Sequence, residues 1–81
     1  MKKIDLVQLK KNQKGKVIEF QGGRNLVNKL NSRGIRPGKI IKKVSDSFMG
    51  GPVTIEVDNS RLALGQGMAA RVIVEVWSEE Q

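Results

Sequence analysis

The side chains able to do chemistry are few, and two absences shape the set. The chain has no cysteine and no histidine. Without thiols there is no disulfide framework and no thiolate metal site. Without imidazole the usual general base near neutral pH is missing. Glu56 and Asp58 stand two apart in a segment that alternates like a strand, so they share a face. Such a pair can do acid–base work, but the commoner meaning of this spacing is the solvent side of a half-buried sheet. No nucleophile stands at a readable spacing from a base, and the chain reads as non-enzymatic. Asp46, Glu56, Asp58 and Glu75 follow no metal-ligand spacing, and first-row transition metals bind imidazole as well as carboxylate. No cofactor and no tight metal site are expected. Gly22-Gly23 precedes a helix start that can hold an anion, but the full Gly-x-x-x-x-Gly-Lys pattern is lacking; a tight turn is the simpler reading.

Non-covalent chemistry is better represented. Fifteen Lys+Arg against eight Asp+Glu give a net charge of +7. Residues 1–43 hold 13 basic and 2 acidic side chains, and residues 44–81 hold 2 basic and 6 acidic. This split means either a basic face turned to an acidic partner or two halves that interleave in space and partly cancel. Phe48-Met49 sits beside Gly50-Gly51 in a connection over 45–52. A hairpin tip is ordinarily polar, so these two either anchor a partner or plug one end of the fold. Arg36, Lys42 and Lys43 are near them in sequence and read as a basic rim that steers an acidic partner. Phe48, Met49, Arg36, Lys42 and Lys43 are therefore the candidate partner-binding residues. Trp77 is out of phase with the last strand; it either covers that strand's outer face or mediates self-association, which leaves a homo-oligomer open.

The elements that must position these residues are mostly strands. Eighty-one residues make one domain, residues 1–81. Val and Ile supply 16 of the 31 apolar residues and Leu 6, and β-branched side chains favour a pleated surface. Val53, Ile55 and Val57 alternate with polar residues, and Val72, Val74 and Val76 mark a second half-buried strand. Residues 15–21 and 39–44 are strand-like, and 61–64 fits a short fifth strand. Residues 4–9 carry a capping box between Asp5 and Gln8 and read as one helical turn leading into the first strand. Residues 24–33 place Leu26, Val27 and Leu30 on one helical face. Gly34 then fits the left-handed position that closes a helix, with Ile35 folding back on Leu30. Arg36-Pro37-Gly38 is a turn, and 65–70 is a turn or a single helical turn. The sum is a mainly β fold, a small, highly bent antiparallel barrel with one short inserted helix. No apolar stretch approaches a membrane span, and residues 2–10 are too polar for a signal peptide, so the expected location is the cytoplasm.

These landmarks, in this order, resemble the FeoA family. The resemblance rests on Leu6-Val7-Gln8-Leu9 before Gly15-Lys16-Val17, on Gly22-Gly23 followed by Leu26 and Leu30, and on Gly34-Ile35-Arg36-Pro37-Gly38. It continues through Gly51-Pro52-Val53-Thr54-Ile55-Glu56-Val57, Leu62-Ala63-Leu64 and Ala70-Arg71-Val72-Ile73-Val74, covering roughly residues 4–76. Asn12 stands where the family often has Gly, and Asn tolerates a left-handed turn. Ser32-Arg33 makes the helix end more polar and basic than is common there. The resemblance implies an SH3-like barrel, and a cytoplasmic accessory of bacterial ferrous-iron uptake that docks on and modulates the membrane GTPase-permease FeoB, recruited to the inner face of the membrane. Ferrous iron enters only through that association. A similar fold occurs in the C-terminal domain of DtxR-type repressors; these 81 residues show no winged-helix pattern, so the free-standing form is the expectation. The alternative is an RNA- or ribosome-binding protein, because Gly15-Lys16-Val17-Ile18 followed by Gly22-Gly23 faintly resembles the KOW element. Nucleic acid ranks behind: the three aromatic residues do not interleave with the basic ones, and a helix after Gly23 is unlike KOW.

Overall fold

The computed structural model describes residues 2–45 and 50–76. In chain order the elements are β1 (Lys2–Asp5), β2 (Lys14–Phe20), α1 (Arg24–Ser32), β3 (Ile40–Ser45), β4 (Val53–Val57), β5 (Ser60–Leu64), α2 (Gln66–Ala69) and β6 (Val72–Val76). All strand pairings are antiparallel, in the order β1-β6-β2-β3-β4-β5, so β1 and β5 are the two ends of the ladder. The register shifts between Val17 and Glu19 in β2, and between Lys43 and Ser45 in β3. Each shift inserts an extra residue, which bends and twists the strand locally.

Strands β4 and β6 follow the expected alternation. In β4 and β6 every second residue, Val53, Ile55, Val57, Val72, Val74 and Val76, is buried. They join Leu6, Leu9, Val17, Leu30, Ile35, Ile41, Leu64 and Ala69 in one core cluster. Gly15 is buried within β2 because a Cβ there would stand 2.8 Å from Val74 Cγ2, so β2 can approach β6 only without a side chain at this position.

β1 is a correction to the sequence reading, which has residues 4–9 as a helical turn ahead of the first strand. Lys2–Asp5 is instead a strand paired with β6, and the capping box sits just after it. Gln8 N–H donates to Asp5 Oδ1 (3.0 Å) and Asp5 N–H to Gln8 Oε1 (3.4 Å). The reciprocal bonds were legible, but the strand was not: Lys-Lys-Ile-Asp holds one apolar residue, and β1 pairs on one side only.

α1 ends as its sequence demands. Ile35 N–H donates to Leu30 O (2.9 Å) and Gly34 N–H to Asn31 O (3.0 Å), with Gly34 at φ +85°. That is the Schellman pairing. The chain then turns through Arg36-Pro37-Gly38-Lys39, closed by Lys39 N–H to Arg36 O (3.1 Å) with Gly38 at φ +96°. Proline second and a positive-φ glycine third are the signature of a type II turn. β4 and β5 are joined by Asp58-Asn59, both at positive φ (51° and 68°), as the tight two-residue hairpin loop requires.

Candidate functional site

The sheet's outer face carries the chemistry that the core excludes. Strand alternation turns Lys14 and Lys16 of β2, Ile40 and Lys42 of β3, and Glu56 of β4 to the same side. The register sets them in rows. Lys14 is opposite Lys42, Lys42 is opposite Glu56, and Glu56 is opposite Arg61. In the next row Lys3 faces Glu75, Glu75 faces Lys16, and Lys16 faces Ile40. Neighbours within a row are roughly 5 Å apart at Cα. Lys14, Ile40, Lys42, Glu56, Asp58 and Asn59 line an open depression of about 390 Å³. Ile40, 44% exposed, is the one large apolar side chain that is exposed among the described residues. At the rim Lys39 Nζ meets Asp58 Oδ2 at 2.7 Å; both are well exposed, so this ion pair contributes about 0–1 kcal/mol.

The structure separates the residues that the sequence grouped into a basic rim. Lys42 is on the outer face, half-buried between Lys14 and Glu56. Arg36 is exposed in the turn before β3. The connection over 46–52 leaves the other end of that strand, about 20 Å away at the extended rise per residue. Lys43 points inward and is 3% exposed. Its Nζ donates to Val7 O at 2.9 Å, and its backbone bonds to Asn12 and Gln13. Lys43 is therefore a pin for the 6–13 segment and presents no charge to a partner. Phe48 and Met49, and likewise Asp46 and Trp77, lie outside the described residues.

Lys14, Lys16 and Ile40 were not singled out from the sequence. The signal was present in β2, where Lys14 and Lys16 flank Gly15 and precede the inward Val17. It was ambiguous in β3, where Ile-Ile-Lys-Lys has two apolar and two charged residues in succession and so gives no phase. The core side of β3 is fixed by Ile41, which is fully buried.

Among the described residues no group of three or more Asp or Glu side chains is placed to hold a metal ion. Glu56 lies between Lys42 and Arg61, and Asp58 is engaged by Lys39. Each of these carboxylates stands beside a cation, and the described acidic residues do not gather into a ligand set. Of the Gly22-Gly23 pair, Gly22 has a packing role, while a Cβ on Gly23 would meet open space. A Cβ on Gly22 would come within 2.3 Å of Leu26 Cδ2, so the glycine lets the chain pass over the helix's apolar face. No described helix is long and apolar enough to cross a membrane.

A single antiparallel sheet with bulged inner strands, built around one core and interrupted by a short helix between β2 and β3, places the molecule in the class of small SH3-like β domains. A crystal structure of an iron uptake regulatory protein, FeoA, is 36% identical, with 93% of this chain and 97% of that one covered at a TM-score of 0.84. The solution structure of a FeoA-like protein from Clostridium acetobutylicum is 27% identical over 100% and 94% of the two chains, at a TM-score of 0.86. FeoA from Stenotrophomonas maltophilia, a prokaryotic SH3 domain protein crystallised with zinc, is 25% identical over 89% of each chain, at a TM-score of 0.77. No curated protein matches the chain. The FeoA domain model matches residues 4–76, and the chain belongs to the FeoA domain family.

Proposed function

We propose that this chain is a small accessory protein of ferrous iron uptake that docks on the cytoplasmic part of a FeoB-type membrane GTPase-permease and modulates it. The observation that carries the reading is the FeoA match across residues 4–76, with 36% identity to an iron uptake regulatory FeoA along nearly the whole of both chains. The Stenotrophomonas maltophilia relative is put forward as a ferrous iron transport activating factor. The site chemistry agrees in kind. The outer face offers lysines and an apolar side chain for binding, and its described carboxylates stand opposite or beside cations. On this reading the protein acts by contact and not by catalysis, works at the inner face of the membrane, and leaves the iron to its partner.

The test is co-purification of the chain with the full-length transporter in detergent, paired with ferrous iron uptake in cells lacking this protein. Stable co-elution, and uptake restored by the chain, are expected. A chain that ignores the transporter and is retained on RNA at low salt would belong to the nucleic-acid class instead. Phe48 and Met49 stand in this reading as further anchors on the β3–β4 connection. Phe48→Ser is expected to weaken transporter binding by about tenfold or more with the melting temperature unchanged. A collapse of thermal stability would assign Phe48 to the core.

A further inference from the structure

We propose that the outer face of β2, β3 and β4 is the docking surface, with Ile40 as its apolar anchor and Lys14, Lys16 and Lys42 around it. Its partner would be a protein surface that is acidic at the centre and mixed in charge at the edge. This rests on the transporter reading above and names the face that does the work.

Three independent features meet there. The first is exposure: Ile40 is the exposed large apolar side chain of the described residues, and it lies in the depression instead of on a convex edge. A single exposed apolar residue is ordinary by itself; its surroundings are what set Ile40 apart. The second is like charge brought together. Lys14 and Lys42 are directly opposite across β2 and β3, an arrangement that repels in the free protein. Lys16 is on the same face, one pleat along β2 and opposite Ile40. An acidic surface brought up to these amines would relieve the repulsion. The third is that the positive field is interrupted: Glu75 is opposite Lys16, Glu56 is opposite Lys42, and Asp58 closes the rim with Lys39.

That third feature selects the class of partner. A nucleic-acid backbone or an anionic bilayer is negative throughout, and would meet Glu56, Glu75 and Asp58 with repulsion. A folded protein can set carboxylates against Lys14 and Lys42, a cation against Glu56 and an apolar side chain over Ile40. Such complementarity supplies specificity and register as well as encounter rate.

The experiment measures binding of the full chain to the detergent-solubilised full-length transporter for four forms. These are the wild type, Ile40→Ser, Lys14→Gln/Lys16→Gln, and a control, Arg24→Gln/Lys29→Gln, which removes the same number of charges from α1 and so lowers the net field equally. Circular dichroism melts confirm that each is folded; the glutamine variant adds no new repulsion beside Glu56 or Glu75. Ile40→Ser and the glutamine pair are each expected to weaken binding by about tenfold or more, with the control within about twofold. Wild-type binding that survives both face variants overturns the proposed face and leaves transporter docking intact. No wild-type binding overturns the transporter reading, and the face assignment with it. Tighter wild-type binding to single-stranded RNA or to phosphatidylglycerol vesicles than to the transporter overturns the choice of a protein partner.

Discussion

Lys43 follows a buried Ile41 at strand spacing, so the pleat turns it inward even though it is charged. Its stem passes through the core margin, and its ammonium ends on Val7 O at 2.9 Å. A buried ammonium is tolerable only when hydrogen-bonded, and here the bond also fastens the turn after β1 to β3. Lys43→Met keeps the apolar stem and removes the donor. It is expected to destabilise the fold by about 1–3 kcal/mol, the usual cost of leaving a buried polar group without its partner. Urea denaturation reads this directly. A variant as stable as wild type would mean that Val7 O finds water and that the pin contributes nothing. Gly15 is the second inward position that sequence alone did not explain. The 2.8 Å approach to a stiff Val74 side chain predicts that Gly15→Ala costs about 1–3 kcal/mol through overpacking, seen as a lower urea midpoint at unchanged m-value.

At the scale of elements, what was legible depended on how local the cause was. The α1 terminus is set by six consecutive residues, and Leu30, Gly34 and Ile35 announce it. Strands β4 and β6 are set by their own alternation. The capping box was readable because both partners lie within four residues. β1 was not readable: four residues with one apolar side chain form a strand only because β6 offers its edge, and β6 is about 70 residues away in sequence. The docking face is of the same kind. Lys14, Ile40, Lys42 and Glu56 become neighbours through register across three strands, and no window of sequence contains them. The local elements give sharp predictions. Gly34→Ala places a Cβ at φ +85° and is expected to cost about 1–2 kcal/mol by left-handed strain. Gly67, inside α2 with open space around its Cα, is the contrast. Gly67→Ala is expected to gain about 0.5–1 kcal/mol through helix propensity. Thermal melts of the two variants should move in opposite directions, and parallel shifts would sink the backbone argument.

At the scale of the molecule, the fold mixes the charge split along the chain among the described residues. Antiparallel pairing sets β6 between β1 and β2, and β4 beside β3. Glu75 of β6 comes between Lys3 and Lys16, and Glu56 of β4 comes between Lys42 and Arg61. With this mixing there remain a net charge of +7 and a local excess where β2 meets β3 with lysine opposite lysine. A net field of this size acts at long range on the approach of an acidic partner, while contact at Ile40 acts only after docking. The two contributions therefore separate kinetically. Raising ionic strength from about 0.05 M to 0.5 M shortens the screening length from roughly 14 Å to 4 Å. It is expected to slow association with the transporter by about tenfold or more, while the dissociation rate changes by less than about threefold. Ile40→Ser is expected to do the reverse, speeding dissociation and leaving association and its salt dependence in place. Surface plasmon resonance over a salt series, with both proteins full-length, reads both rates. If salt acted mainly on dissociation, the lysines would be making short, desolvated contacts instead of steering. If Ile40→Ser slowed association instead, Ile40 would belong to the encounter and not to the anchor.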